Sequence, residues 1–257
     1  MNYDFGQNWE RFSAALSRQD YLAARDSLRN LAGDLRGKTF LDIGCGSGIF
    51  AVAASSLGAS EVVGIDRDPK CVQVSLDNLP KISAWDGSAG AQNIKFLQKS
   101  ILADVGDLGT FDVVYGWGVL HHTGRMYDSF HKAASLVKKN GLLIISVYNR
   151  HFTSGFWLNV KRLYNTGPKI LKITLFYCVY ILKFLGVAIT QGKNPLGKDR
   201  GMKFYYDVRD WVGGYPYEYA SVDEVVQYFK NKDFETIKIN KTAGFTGCNE
   251  FVFRRRT

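Results

Sequence analysis

The chain has 257 residues, of which 46% are apolar and 22% are charged, and this balance excludes a disordered or fibrous protein. Its four cysteines lack the paired spacing of a zinc site, and they predict reduced thiols rather than a disulfide framework. The first residues lack the basic start and apolar run of a signal peptide, so we expect a cytoplasmic protein.

The net charge of +9 is concentrated in one part of the chain. Residues 151–205 hold nine Lys or Arg side chains and one acid, Asp199. A basic surface spread over a whole domain would favour nucleic acid. Because this basic segment is also strongly apolar, we expect no nucleic-acid partner.

The N-terminal part predicts helices, and a glycine-rich turn follows it. Residues 7–33 have the periodicity of two amphipathic helices, which would pack on the edge of a sheet. Thr39–Gly48 then joins an apolar strand to Gly-x-Gly-x-Gly and the start of a helix. A ligand can reach backbone N–H groups at such a turn, because glycine has no Cβ to hold it away. The alternative is an ordinary glycine-rich connection without a ligand.

The next predicted strand favours the ligand. It ends at Asp66, about 20 residues past the first glycine, where a carboxylate can accept both ribose hydroxyls of an adenosine-type cofactor. A dinucleotide fingerprint needs glycine where this chain has Ile49, and a phosphate-binding loop needs a Gly-Lys-Ser/Thr sequence that does not follow here.

The later segments alternate between strand and helix, which predicts a parallel, doubly wound sheet. We expect helix from Pro69 to Leu79, a surface loop over 80–92, strands at 93–98, 111–115 and 142–147, and a helix over 125–138. A capping box at Ser221–Glu224 opens a helix to Lys230. Two last strands, 234–241 and 249–254, flank a turn at 244–247.

Asp-x-Gly-x-Gly-x-Gly at Asp42–Gly48, followed by Asp66, resembles motif I of the class I S-adenosylmethionine (SAM) methyltransferases, over roughly residues 38–148. The resemblance implies SAM as cofactor, with S-adenosylhomocysteine (SAH) as its product. It also implies a Rossmann-like α/β fold: a seven-stranded sheet, mostly parallel with the last strand antiparallel, sandwiched by helices and carrying an inserted helical lid. Residues 1–35 would form a further lid over SAM, with Trp9 and Tyr21 as candidate contacts.

The same resemblance implies the cofactor-binding residues. Asp42, Gly44, Gly46 and Gly48, with Cys45 between them, would shape the methionine pocket; Asp66 would hold the ribose; Arg67 and Ile101 would flank adenine; and Trp117 would lie near the methionine moiety. Ser100 stands where related enzymes often place an acid on the adenine amino group.

His121 and His122 follow the fourth predicted strand, at the edge of the sheet that carries ligands. Methyl transfer depends on proximity, and a neutral hydroxyl also needs a base, most simply a histidine with a pKa near neutrality. We predict that at least one of the two is catalytic and favour His122; the alternative is that both rings only satisfy backbone groups.

The histidine segment resembles that of the UbiG-type quinone O-methyltransferases, which carry Glu-x-x-Glu-His here. The two acids fall on Gly118 and His121, so we expect no metal. The Asn/Asp-Pro-Pro-Tyr sequence of enzymes that methylate nucleic-acid amines is replaced by Tyr115–Gly118.

A second group of polar and aromatic residues follows the fifth strand and the insertion. Its members are Tyr148, Arg150, Tyr215, Tyr217 and Glu218. They are candidate walls for a polar or anionic substrate, with Arg150 able to hold a carboxylate or phosphate. The alternative is a loop whose aromatic side chains only pack down.

The segment 156–190 is rich in aromatic and aliphatic residues. Lys172 and Lys183 bracket ten uncharged positions, 173–182, a run that we interpret as too short to span a membrane. It predicts either a helix at a membrane interface or a lid helix buried against the core or against a dimer partner.

We therefore expect a single methyltransferase domain over 1–257, with a lid at 1–35, a SAM-binding core at 38–148, an insertion at 151–205 and a last helix and two strands in 206–257. Its acceptor would be a small molecule methylated at oxygen, and the protein a monomer or homodimer. The alternatives are a peripheral membrane enzyme acting on a quinone or other lipid, a sugar, phosphoryl-containing or natural-product acceptor, and a non-catalytic interaction protein.

Overall fold

The computed structural model describes residues 5–86, 91–191, 204–242 and 247–257. Its helices are α1 Phe5–Ala14, α2 Arg18–Ala32, α3 Ile49–Ser56, α4 Pro69–Asp86, α5 Met126–Ser135, α6 Ser154–Thr166, α7 Lys169–Gln191, α8 Phe204–Gly213 and α9 Val222–Lys230. Its strands are β1 Thr39–Ile43, β2 Glu61–Asp66, β3 Ile94–Gln98, β4 Phe111–Gly116, β5 Val137–Tyr148, β6 Phe234–Asn240 and β7 Cys248–Arg255.

The strands form one seven-stranded sheet in the order β3-β2-β1-β4-β5-β7-β6. The strands β1 to β5 are parallel to one another, and β7 runs antiparallel between β5 and β6. The predicted Rossmann-like sheet with an antiparallel last strand is therefore confirmed.

Each face of the sheet has its own hydrophobic core, because successive side chains of a strand point to opposite faces. In β5, Leu143, Ile145 and Val147 pack in one cluster with α5 and α9. Ile144 packs in the other, with α2 and α3. The layers are thus helix, sheet and helix.

Two helices, α4 and α5, end at residues that differ from the predicted ones. The expected loop over 80–92 is wrong in its first part, because α4 continues through Pro80 to Asp86. Its apolar face explains this: Ile82 is fully buried against the sheet. The helix expected to reach Lys138 ends at Ser135 instead, since Val137 pairs with Phe111 and begins β5. Residues 87–90, and part of the turn predicted at 244–247, lie outside the described residues.

The insertion builds a third hydrophobic cluster beyond the end of β5. Aromatic side chains from α6, α7 and α8 pack there around the buried Tyr148, Trp211 and Tyr217. Trp211 lies on α8, just before the segment that carries Tyr215, Tyr217 and Glu218. The third cluster joins the insertion to the sheet.

Helix α7 is longer than its uncharged run implied. By length and composition, Lys169–Ile189 would be long and apolar enough to cross a membrane, so the expectation drawn from ten uncharged residues is wrong. Only 11% of its apolar window is buried. Phe176 and Val179 pack inward, whereas Ile173, Tyr177 and Ile181 are about half exposed or more.

Candidate functional site

The glycine turn after β1 lies against two other parts of the chain. Gly44 and Gly46 have φ angles of 71° and 55°, a left-handed conformation that L side chains rarely adopt. A Cβ on Gly44 would lie 2.4 Å from the side chain of Val119, and one on Gly46 would lie 2.9 Å from the Trp9 ring. Trp9 of α1 therefore covers the turn, as a lid residue would.

Tyr21, the other candidate lid residue, lies elsewhere. It is fully buried in the core between sheet and helices, and its hydroxyl donates to Ser56 Oγ at 2.8 Å. Tyr21 therefore stabilises the packing of α2 on α3 and does not face the glycine turn.

Two carboxylates lie beside this turn. Asp66 Oδ2 accepts the backbone N–H of Gly46 at 3.2 Å, and Oδ1 accepts that of Asp68 at 2.9 Å. Burial raises the pKa of Asp66. Burial, and then the charge of Asp66, raise the pKa of Asp42 to about 7, and Asp42 Oδ2 has no hydrogen-bond partner among the described residues.

These features fit the cofactor that the resemblance implies. An unpartnered, buried carboxylate oxygen suits a positively charged ammonium, such as that of the methionine moiety of SAM. Asp66, at the tip of β2, is placed to accept hydroxyl groups of a ribose. A turn without side chains leaves the backbone open to both.

The other predicted cofactor residues are distributed around the same edge. Cys45 is buried with Sγ 3.5 Å from Ser75 Oγ, and Gly48 precedes α3. Ile101 is buried in the core, Ser100 Oγ accepts the Leu102 N–H at 3.2 Å, and Arg67 is exposed. Trp117 Nε1 donates to Glu250 Oε1 at 2.9 Å, so β7 holds this ring.

The histidines are held by backbone carbonyls. His121 Nδ1 lies 3.1 Å from the carbonyl oxygen of Ser146, and His122 Nδ1 lies 2.7 Å from that of Pro216. A carbonyl oxygen only accepts, so both rings carry a proton on Nδ1. The Nε2 of His121 is buried without a hydrogen-bond partner in the described chain.

Both histidines are neutral. Burial lowers the pKa of His121 to about 3 and that of His122 well below its ordinary value. The sequence argument assumed a pKa near neutrality, and burial removes that condition. Each ring is thus a hydrogen-bond acceptor at Nε2 in its neutral form, and a weak base.

The chain from Gly214 to Ala220 brings the second predicted group to the histidines. Glu218 N donates to the carbonyl oxygen of His121 at 3.0 Å, and a Cβ on Gly214 would lie 2.5 Å from His122 Cε1. The centre of the Tyr148 ring lies 4.2 Å from the centre of the His121 ring and 4.9 Å from the centre of the Tyr217 ring. Burial raises the pKa of both tyrosines, so they are neutral.

The remaining members of that group have structural contacts. Arg150 forms a bidentate pair with Glu224, at 2.9 Å for each hydrogen bond, near the surface. Glu218 Oε1 accepts the N–H of Met126 at 3.1 Å, at the start of α5. Tyr215 is half-buried beside Pro216. Among the five residues predicted to bind substrate, Tyr148 and Tyr217 are the two whose rings meet in the third cluster.

Lys161 is a member of this cluster that sequence reasoning missed. It is fully buried, and its Nζ lies 4.3 Å from the centre of the Trp211 ring and 4.8 Å from that of Tyr217. The available signal was its helical spacing: Lys161 falls on the apolar stripe of α6, with Trp157, Leu158 and Tyr164.

A family model described as a methyltransferase domain matches residues 16–246. Among solved structures, a putative SAM-dependent methyltransferase from Listeria monocytogenes superposes with a TM-score of 0.57 at 16% identity, covering 92% of this chain and 99% of that one. Magnesium protoporphyrin IX methyltransferase from Synechocystis PCC 6803, solved with bound SAH, gives a TM-score of 0.54 at 17% identity, covering 93% and 82%. At these identities the two likenesses show the fold.

The curated relatives match over part of their length. A ribosomal protein L11 methyltransferase from Photobacterium profundum is 62% identical over 113 residues, which are 44% of this chain and 34% of that protein. The match thus spans about a third of that relative, and its substrate is a property of the relative.

Replacing Asp66 by Ala should weaken SAM binding about 10-fold or more, because two charge-assisted hydrogen bonds to ribose would be lost. Isothermal titration calorimetry with SAM measures the change. Asp77→Ala is the matched control, since Asp77 is exposed on α4, where its carboxylate accepts a hydrogen bond from Gln73. Unchanged affinity in Asp66→Ala would remove Asp66 from the cofactor site.

Proposed function

Since the chain belongs to the methyltransferase-domain family and is a SAM-dependent methyltransferase, we propose that it transfers the methyl group to an oxygen atom of a small molecule. The observation that carries this proposal is a group of neutral rings, His121, His122, Tyr148 and Tyr217. The two histidines belong to the segment after β4, whose Val119 lies against Gly44 of the glycine turn. A hydroxyl group finds a hydrogen-bond acceptor there, the neutral Nε2 of His121.

The same group of rings fits an amino group as methyl acceptor less well than a hydroxyl group. The ammonium group of a protein lysine must be held by negative charge before it loses its proton, and these four rings carry none. The nearby carboxylate of Glu218 accepts the N–H of Met126 through Oε1, whereas its Oε2 is buried without a hydrogen-bond partner among the described residues, so Glu218 is the group that would hold such an ammonium. A protein acceptor, which the relative's name raises, is thus the rival outcome of the test below.

The chain's residues have separate tasks in this proposal. Bound SAM supplies an electrophilic methyl group. Asp66 and Asp42 fix its position, Trp9 covers the turn, and the histidines orient the acceptor oxygen toward the methyl group. Much of the rate enhancement comes from this positioning, since methyl transfer is an in-line displacement.

A membrane-associated acceptor, a quinone or another lipid, is a second candidate that one observation favours. The outer face of α7 exposes Ile170, Ile173, Tyr177, Ile181, Leu182, Leu185 and Ile189. Residues 151–191 contain no acid, and Arg162, Lys169 and Lys172 are basic. Because the inner face of α7 packs against α8 through Phe176, the helix would lie along a membrane surface rather than cross it.

Methyl-labelled SAM, incubated with the purified protein and a fractionated cell extract, tests the acceptor class. We expect the label in a small-molecule fraction, as a methyl ether or ester stable to amine-specific chemistry. Label in the lipid fraction would promote the second candidate. Label in the protein fraction would overturn both and favour an acceptor like that of the relatives.

Replacing His121 by Ala should lower kcat for the labelled acceptor by about 100-fold, because the hydrogen bond from the reacting hydroxyl to His121 Nε2 is lost. The Kd for SAM should change less than about threefold, because no cofactor contact is removed. His131→Ala, at an exposed position of α5, is the control and should match the wild type. Wild-type turnover in His121→Ala would contradict the role of this ring in holding the acceptor oxygen.

Sedimentation with lipid vesicles tests the membrane contact. We expect the wild type to bind phosphatidylglycerol vesicles and to bind phosphatidylcholine vesicles at least about 10-fold more weakly. Ile181→Glu, on the exposed face of α7, should abolish the binding, whereas Ile237→Glu, at an exposed position of β6, should not. A wild type that stays in the supernatant with both vesicles contradicts the second candidate.

A further inference from the structure

A row of polar side chains lies across one face of the sheet, at the edge where the candidate site is. Ile144 of β5 and its partner Val252 of β7 pack on this face in the core with α2 and α3. Side chains two positions apart on a strand share a face, so the next pair on it is Ser146 and Glu250. Glu250 pairs in turn with Asn240 of β6. Polar side chains therefore replace aliphatic ones at the carboxyl end of β5.

This polar row is hydrogen-bonded to the segment that follows β4. Ser146 is fully buried, and its Oγ accepts the N–H of Gly118 at 2.7 Å. The carbonyl oxygen of Ser146 accepts the Nδ1–H of His121 at 3.1 Å. Glu250 Oε1 accepts the Nε1–H of Trp117 at 2.9 Å. One cross-strand pair thus holds the segment at three points.

The carboxylate of Glu250 is itself fixed from a second side. Its other oxygen, Oε2, accepts the Nδ2–H of Asn240 at 2.9 Å. Glu250 is partly buried, and a buried carboxylate costs free energy of folding unless hydrogen bonds replace the water that it loses. A hydrogen bond to a carboxylate is stronger than one between neutral groups, so it gives the Trp117 ring a defined orientation. An aliphatic residue such as the neighbouring Val252 would pack here but would leave the indole N–H without this acceptor.

The segment held in this way forms a wall of the cofactor turn. Val119, two residues after Trp117, is the side chain that a Cβ on Gly44 would collide with. Trp117 also packs on the same hydrophobic cluster as Trp9, the residue that covers Gly46. Because one residue separates Trp117 from Val119, a change in the position of the Trp117 ring displaces the wall of the glycine turn as well.

We propose that Glu250 is a positioning residue for the cofactor: by fixing the Trp117 ring, it holds the wall of the glycine turn in the geometry that binds SAM. The effect passes through Trp117, so it depends on a hydrogen-bond acceptor at position 250 and not on contact between Glu250 and SAM. This inference goes beyond the proposed function, because it concerns the cofactor and holds for any methyl acceptor.

Isothermal titration calorimetry with SAH measures the effect without a methyl acceptor. Glu250→Met removes both hydrogen bonds at a similar side-chain volume and should weaken SAH binding about 10-fold. Glu250→Gln keeps an acceptor oxygen for Trp117 and should bind SAH within about threefold of the wild type. Glu235→Met is the control and should match the wild type, since Glu235 lies on β6 and pairs near the surface with Arg254.

A double variant tests whether the effect passes through Trp117. Trp117→Phe removes the indole N–H and should weaken SAH binding about as much as Glu250→Met does. Adding Glu250→Met to Trp117→Phe should weaken the binding by less than about a further threefold, because the hydrogen bond is already lost. Two losses that multiply to about 100-fold would mean independent effects and would overturn the inference.

The other possible results also decide the inference. Wild-type SAH affinity in Glu250→Met, together with a lower Tm, would mean that the bond to Trp117 contributes to stability alone and would overturn it. Equal losses of affinity in Glu250→Gln and Glu250→Met would overturn it too, because Gln still offers the acceptor. If Glu250→Met does not fold, Trp117→Phe decides: weaker SAH binding supports the inference, and unchanged binding contradicts it.

Discussion

The parallel pairing of β1 with β4 is the constraint on which the rest of the site depends. Phe40 pairs with Val113 and Asp42 with Tyr115, so the two strands end at the same edge. The turn that follows β1 and the histidine segment that follows β4 therefore meet, with Val119 against Gly44. Because β2 and β5 are parallel to these strands, Asp66 and Tyr148 reach the same edge.

The cofactor side and the acceptor side of this edge differ in polarity, and the difference divides their chemistry. Asp42 and Asp66 lie beside the glycine turn, and burial raises the pKa of both. Their carboxylate oxygens can accept hydrogen bonds from a cation and from hydroxyl groups. Beyond the histidines the groups are neutral rings and the amine of Lys161, whose pKa is lowered by burial. This difference agrees with the proposal that the site binds a positively charged methyl donor and an uncharged acceptor.

The insertion contributes to both candidate surfaces of the protein. The inner sides of α6, α7 and α8 close the acceptor side with Lys161, Phe176 and Trp211. The outer face of α7 presents aliphatic residues in a segment without acids. One helix therefore contributes both to the packing beyond β5 and to the exposed apolar surface on which the second candidate for the acceptor rests.

The sequence by itself determined the sheet, the glycine turn and Asp66, because these follow from local patterns: periodicity, glycine spacing and a carboxylate at a strand tip. It also placed the histidines at the correct edge. Their pKa values depend on burial, which only the tertiary structure decided. The same is true of Arg150, whose guanidinium pairs with Glu224. The burial of Lys161 was also decided by the tertiary structure, because only packing brings Tyr148, Trp211 and Tyr217, which are distant in sequence, around a lysine on an apolar helical stripe.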